Sequence, residues 1–324
     1  MNFVKLALEN GGTIKPLLIN PSDLTGPSIT NPSVFVYDNK ILVNLRNVNY
    51  TLYHSELNRF EHMWGPLSYI HPENDMNLRT TNYIAELNDD LDIVHYAKID
   101  TSKFDTYEPQ WEFVGLEDVR LVEWNDKLYG IGVRRDLDKI GTGRMEISEL
   151  QFDGANVKEV FRYRIPGQLP DKEYCMKNCT PVLDKPFHLL KWTNPTALMK
   201  FDISGKETQV FETSPHIPLM NDLRGGSQII PYKDGYLSIL HETELYNSEQ
   251  GRKNATYRHR FVVWDKDFKL QKISKLFSFL NMKIEFCCGM TEYKDDYLIS
   301  FGAQDNTAYI LKVSKSLVED FIND

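Results

Sequence analysis

Carboxylates, arginines and side-chain amides gather at five places in this chain, each at the edge of a run of β-formers. Asn31 and Arg46 belong to the first cluster, and Glu117, Asp118, Arg120, Arg134 and Arg135 to the second. Lys177, Asn178 and Trp192 form the third; Arg224, Ser227, Gln228, His241 and Glu242 the fourth; Glu285, Gln304 and Asp305 the fifth. Carboxylates and amides hydrogen-bond sugar hydroxyls, and a tryptophan face stacks on a pyranose ring. Arginine adds a fork that matches phosphate oxygens, so the set suits a sugar carrying phosphate or diphosphate. The competing reading is that these charges pair with one another where sheets meet.

The elements that must position these clusters repeat. Asn31–Arg46, Gly115–Arg135, Met176–Trp192, Arg224–Glu242 and Ile284–Asp305 each read as strand, tight turn, strand. Their turns are Asp38-Asn39-Lys40, Asn125-Asp126-Lys127, Asp184-Lys185-Pro186, Lys233-Asp234-Gly235 and Lys294-Asp295-Asp296, all flanked by β-branched, aromatic or leucine residues. Recurrence every ~45–85 residues signals stacked supersecondary units. Further strand candidates, among them Phe261–Trp264 and Tyr309–Val313, supply a second hairpin per unit. The expectation is an all-β fold: a five-bladed β-propeller spanning residues 1–324 as a single domain, with one short helix at Lys315–Ile322. The long first interval predicts an inserted loop. Gly226, Gly289 and Gly302 fall where inner strands crowd an axis, and Gly141-Thr142-Gly143 reads as a mobile loop because it lacks the strand-to-helix context of a phosphate loop.

With 324 residues, 41% of them hydrophobic, the chain can bury a large core. Its net charge of −9 disfavours a protein that coats nucleic acid, although one basic pocket for a phosphate remains compatible with it. No apolar run is long enough to cross a membrane, and the first twelve residues lack the apolar centre of a signal peptide. Cys175, Cys179, Cys287 and Cys288 lie beside predicted core strands, where thiols behave as small hydrophobes. Adjacent cysteines also suit one tetrahedral ion poorly. Neither a metal nor a cofactor is expected, and reduced thiols fit the cytoplasm.

Several of these segments resemble glycoside hydrolase family 130, the β-mannoside phosphorylases and hydrolases, and the related glycosyltransferase family 108. Gly115-Leu116-Glu117-Asp118-Val119-Arg120 is similar to its Gly-x-Glu-Asp-x-Arg signature, and Met176–Pro181 to its Glu-Lys-Asn-Trp-x-Pro segment. Lys233–Leu237 leading to His241, and Phe301–Asp305, resemble two further motifs, so the match runs in order from about Asn31 to Asp305. Met176, Cys179 and Arg224–Gln228 depart from the pattern. Arg224–Gln228, Tyr257–Phe261 and Ile284–Met290 look closer to propeller modules labelled as glycosyltransferases.

The resemblance implies a five-bladed propeller and inverting chemistry, with Asp118 as general acid/base and Glu117 beside it. Arg120, Arg134, Arg135, Lys177, Arg224 and His241 are the expected phosphate or donor ligands. Asn31, Arg46, Asn178, Trp192, Gln228, Glu285 and Asp305 are the expected sugar ligands. The reading that follows is an inverting transferase moving one sugar from a phosphate-activated donor to a hydroxyl acceptor. The alternatives are a β-mannoside phosphorylase, an exo-hydrolase with Glu242, Glu285 or Asp305 as second carboxylate, and a non-catalytic binding propeller.

Overall fold

A computed structural model describes residues 1–54, 67–167, 173–203, 209–218, 222–247 and 253–324. All five expected hairpins form, and they do so for a local reason. Asp38 and Asn39 (φ 49° and 58°) and Asn125 and Asp126 (φ 53° and 60°) occupy left-handed conformations that aspartate and asparagine tolerate. A tight two-residue turn needs such residues if its twist is to match the flanking strands.

The described strands assemble into five blades. Blade one runs outward from Ser28–Tyr37 through Lys40–Val48 and Leu78–Leu87 to Ile93–Asp100. Blade two comprises Leu116–Trp124, Lys127–Arg134, Arg144–Asp153 and Asn156–Arg164, and blade three Thr180–Pro181, His188–Trp192, Thr196–Lys200 and Gln209–Ser214. The inner strand of blade four is broken into Leu223–Arg224 and Ile230–Tyr232, followed by Gly235–Asn247, Lys253–Asp265 and Leu270–Ile273. Blade five uses Glu285–Tyr293, Asp296–Ala303 and Thr307–Ser314, and takes its outermost strand, Thr13–Pro16, from the other end of the chain. That exchange locks the ring.

The insertion expected in the first interval is a hairpin pairing Thr51–His54 with Leu67–Ile70; residues 55–66 lie outside the described residues. The C-terminal helix spans Lys315–Asn323, with Ser314 as its N-cap accepting from Leu317 N. A second helix, Phe3–Glu9, has no counterpart in the sequence reading. It buries Phe3 against Phe261, Phe277 and Phe321, with ring centroids 4.9–5.4 Å apart. Gly141-Thr142-Gly143 is not a free loop. Thr142 is buried, and Gly141 lies so close to the Trp111 indole that a Cβ would sit 2.2 Å from its Nε1.

The axis itself is plugged. Gln228, fully buried in blade four, donates to Ser33 Oγ (3.1 Å) and Val34 O (3.1 Å) of blade one and to Leu121 O (2.9 Å) of blade two. Its Oε1 accepts from Met290 N of blade five at 3.0 Å. Blade three joins through Trp124 Nε1, which donates to Val182 O, and through a parallel bridge between Val182 and Ile229. Gly289 passes within 2.4 Å of Val34 N, counted from where a Cβ would stand, so only glycine fits between blades five and one.

Gln228→Leu keeps the volume but strands two carbonyls and an amide in a dry interior. Urea denaturation should show a loss of about 3 kcal/mol with little change in m. A variant as stable as the parent would show that apolar packing alone holds the axis.

Candidate functional site

The mouth of the ring is shaped by irregular inner strands. In blade one the pairing slips by one residue between Thr30 and Ser33, in blade two between Glu117 and Arg120, and in blade five between Cys287 and Gly289. Each slip is a β-bulge, which bends a strand and re-aims a side chain. Asn31 (φ 43°) and Asp118 (φ 50°) stand in the first two bulges, and Asn178 (φ 59°) just before the inner strand of blade three. Gln304 (φ 56°) and Asp305 (φ 51°) follow the second strand of blade five. Five polar residues thus adopt the left-handed region on one face of the ring, and such conformations gather where function demands them.

Asp118 is the meeting point. Its Oδ1 accepts from Asn31 Nδ2 at 2.9 Å and from Arg46 Nη1 at 2.7 Å. Arg46, buried in the second strand of blade one, also donates through Nη2 to Glu117 Oε2 and to Tyr50 Oη, both at 2.9 Å, and through Nε to Thr80 Oγ1. Arg120 approaches from below, its Nη1 bonded to the Asp118 carbonyl (2.8 Å) and its Nε to Gly226 O (2.6 Å).

The three carboxyls respond differently to this setting. Burial pushes each upward, but at Asp118 the guanidiniums of Arg46 and Arg120 and the Asn31 amide outweigh it and hold the acid below the usual range. Burial wins at Glu117 and at Asp305, whose pKa values are shifted up, with the charge on Asp118 adding to the effect. Asp305 also bonds to Asn31, so Asp118 and Asp305 share one amide and titrate as a coupled pair.

Across the mouth lie cations and a neutral imidazole. Exposed Lys177 and half-buried Arg224 both act on His241, which is 2% exposed; burial, then His259 and these cations, drive its pKa well below 6.5. His241 stacks on Tyr257 (5.4 Å) and meets the edge of Phe286 (4.9 Å), while the Arg120 guanidinium lies 5.8 Å from the same Phe286 ring. Arg120 Nη2, His241 Nδ1, Thr180 Oγ1 and Glu117 Oε1 are buried without a hydrogen-bond partner. Unpaired polar atoms are costly in a dry interior, and a bound polar ligand would relieve them.

The structure therefore brings together Asn31, Arg46, Glu117, Asp118, Arg120, Lys177, Arg224, His241 and Asp305, with Asn178 and Trp192 at the rim of blade three. Four expectations are corrected. Gln228 is no sugar ligand, because its amide is fully engaged at the axis. Glu285 is turned away from the mouth and caps a loop, accepting from the amides of Phe279, Leu280 and Met282. Arg134 faces the wedge between blades one and two, held by Glu146 (2.9 Å), Tyr107 (2.7 Å), Asp105 and Asp136. Glu242 pairs with Arg260. Arg135 stands off the centre, donating to Gly141 O and lying 4.7 Å from the Phe113 ring, yet its charge still reaches Glu117. Tyr50 and Tyr257 were missed. Both phenols are raised by burial and feel Asp118 and Asp305. Tyr50 lies four residues beyond Arg46, a spacing with no meaning on a strand, and Tyr257 lies in a third strand, away from any hairpin motif.

No family model matches this sequence, and no curated protein matches it. Solved structures do match. A β-1,2-mannobiose phosphorylase from Listeria innocua, in complex with β-1,2-mannobiose, superposes with TM-score 0.56 at 14% identity, covering 96% of each chain. The fold is that of the mannoside phosphorylases. A mannose phosphorylase from Leishmania mexicana in complex with phosphate ion gives TM-score 0.52 at 12% identity, over 98% of this chain and 93% of that one. A family 130 protein, described among mannoside phosphorylases and hydrolases that target β-1,2-mannosidic linkages in Candida mannan, gives 0.55 at 13% identity, over 90% and 85%. This mannoside-phosphorylase fold agrees with the propeller expected from the sequence.

Within that fold His241 and His259 are cross-strand partners, both buried and both driven neutral, His259 down to about 3 by burial and the charge of Arg258. Their pKa values are depressed in the folded state, so the unfolded chain binds more protons below about 6.5 and stability falls as pH drops. Between pH 7.5 and 5.5 each should cost about 1.4 kcal/mol. Chemical denaturation of His259→Phe, whose new ring would join Phe277 and Phe279, should show a correspondingly shallower loss. Identical slopes for parent and variant would mean that His259 is not held neutral.

Proposed function

We propose that this protein is an inverting carbohydrate-active enzyme of the glycoside phosphorylase class, acting on a β-mannoside with inorganic phosphate as the second substrate. The observation that carries this reading is the division of the mouth. A coupled carboxyl pair, Asp118 and Asp305, faces buried donors with no partner of their own, Arg120 Nη2 foremost, backed by Lys177 and Arg224. Inverting phosphorolysis needs one carboxyl proton and a cationic cradle, because phosphate is its own nucleophile.

A phosphate oxygen bonds to the anomeric carbon as the bond from that carbon to the leaving oxygen breaks. The leaving oxygen takes the proton carried by the Asp118–Asp305 pair, and the products are an α-sugar 1-phosphate and a free hydroxyl. Phosphate arriving beside Asp118 offsets the field of Arg46 and Arg120, which raises the pKa of the pair and favours its proton-bearing form. In the synthetic direction Asp118, already held as a carboxylate, receives the proton of the accepting hydroxyl. That step is sugar transfer from a phosphate-activated donor, so the transferase reading and the phosphorylase reading meet in one active site. The neighbours described as mannoside phosphorylases favour phosphate over a nucleotide as the leaving group.

A hydrolase is the second reading. It requires a base for water about 6.5–9.5 Å from the acid. Of the three contenders Glu242 and Glu285 are engaged elsewhere, which leaves Asp305, and its raised pKa suits an acid better than a base.

Incubation of α-mannose 1-phosphate with mannose should release inorganic phosphate and form a β-linked disaccharide. Asp118→Asn should lower kcat by about a thousandfold with the fold retained by circular dichroism. Full activity in that variant, or hydrolysis of mannobiose unaffected by phosphate, would overturn the assignment.

A further inference from the structure

Gly115 is the residue at which the chain leaves one blade for the next. Phe113 and Val114 pair parallel with Leu78 and Arg79 on the third strand of blade one, and Leu116 opens the inner strand of blade two. Gly115 falls outside both ladders, and its amide donates instead to Asp136 Oδ2 at 3.0 Å. Its φ is 102°, and a Cβ there would stand 2.5 Å from Thr80 O, so the crossing is pressed against blade one. Asn82, on the same strand as Thr80, donates to Leu116 O at 2.8 Å.

These two bonds bear on a residue three positions further on. Asp118 lies where the ladder skips, between the pairs Val133–Glu117 and Ile131–Arg120, so no cross-strand pairing fixes its backbone. Its place is set by what holds the two ends of the bulge: Arg120, bonded to the Asp118 carbonyl, and the Gly115–Glu117 segment. Behind that segment the wedge between blades one and two opens into a cavity of about 280 Å³, lined by Thr80, Asn82, Gly115, Leu116, Arg134 and Asp136 among others. The segment has room to retreat into it, and Asp136 and Asn82 hold it forward.

Asp136 is itself immobilised. It is 1% exposed; its Oδ2 lies 3.4 Å from Arg134 Nη1, and its Oδ1 accepts from Tyr107 Oη at 3.3 Å. Arg134 is fixed in turn by Glu146, while Asp105 reaches both Arg134 and Arg162, and Arg162 pairs with Glu159. These charges satisfy one another, which makes the wedge a brace for the bulge rather than a second binding site.

We infer that Asp136, held by Arg134, is a positioning residue: with Asn82 it clamps the Gly115–Glu117 segment so that the Asp118 carboxyl meets Arg46 and Asn31. The catalytic consequence rests on the phosphorylase reading; the clamp does not.

Losing the clamp and losing its charge act on Asp118 with opposite signs. Asp118 faces the cations Arg46, Arg120 and Lys177 and the carboxyls Glu117 and Asp305. The phenols of Tyr50 and Tyr257 and the Cys288 thiol also feel it. A retreating bulge takes Asp118 away from Arg46 and Asn31 and raises its pKa, whereas removing a nearby anion alone lowers it.

Carboxyl NMR titration of the full chain labelled at aspartate, with the Asp118 signal assigned through Asp118→Asn, reads the clamp without turnover. Asp136→Ala should move the Asp118 titration up by about one pH unit. Asp136→Asn keeps an acceptor for Gly115 and should not raise it. Glu159→Gln removes a carboxylate from the same wedge without touching Gly115 and should leave it in place. In the synthetic assay with α-mannose 1-phosphate, Asp136→Ala should lower kcat about a hundredfold with KM within about twofold, and Asp136→Asn should recover most of the loss. If Asp136→Ala does not fold, Asn82→Ala, which strips the Leu116 carbonyl of its donor, carries the same expectations. A titration unmoved or lowered in the alanine variant, or raised equally by Glu159→Gln, would overturn the inference, as would a full kcat in an active enzyme. A raised titration in a chain that transfers no mannose would uphold the clamp and sink the phosphorylase reading instead.

Discussion

One buried amide governs the geometry. Gln228 ties blade four to blades one, two and five through four hydrogen bonds within 3.1 Å. Backbone groups that face a propeller axis have no strand partner, and water cannot reach them in a plugged ring. A side chain with two donors and an acceptor satisfies them together. Ser33 and Ser300 extend the same solution, Ser33 Oγ accepting from Leu121 N and Ser300 Oγ from Val34 N. The plug turns a ring into a funnel, and a funnel into a site with a floor.

On that floor the energetic problem is charge. Three carboxyls converge within reach of one fully buried guanidinium, and burying charge without compensation is expensive. Arg46 resolves it for Asp118 and Glu117 by direct hydrogen bonds, and the remaining negative charge is relieved by lifting Asp305 toward its neutral form. The outcome is a carboxyl pair whose members are pushed in opposite directions, Asp118 down and Asp305 up, near donors that lack partners. The proposed acid–base chemistry and anion binding rest on one electrostatic compromise.

The bulges explain how such residues come to face each other. A regular inner strand would point alternate side chains into the neighbouring blades. One extra residue in blades one and two breaks that alternation and rotates Asn31 and Asp118 toward the mouth. The left-handed backbone at Asn31, Asp118 and Asn178 costs conformational energy that the surrounding hydrogen bonds must offset, and asparagine and aspartate bear it most readily.

How much of this was legible from the residues alone follows from range. The five hairpin turns, the alternating β-formers and the inserted segment depend on contacts within a few residues, and the blades follow from them. The polar clusters were legible for the same reason, because each sits at a strand end, whereas the motif carrying Asp118 was legible through its resemblance to a family signature. Sequence could not rank those clusters by direction. Arg134 and Arg135 are neighbours, yet strand alternation turns Arg134 into the wedge between two blades, where Glu146 and Asp136 hold it. Gln228 and Glu285 carry the right chemistry for a sugar, but only the assembled ring shows that buried backbone groups have already claimed them. Tyr50 and Tyr257 were hidden because neither belongs to one of the five hairpins: Tyr50 lies two residues past the strand that carries Arg46, and Tyr257 on the third strand of blade four. Local propensity determined the blades, and the resemblance of Gly115–Arg120 to a family signature named the carboxylate; the closing of the ring, which decides what each side chain must satisfy, chose its companions.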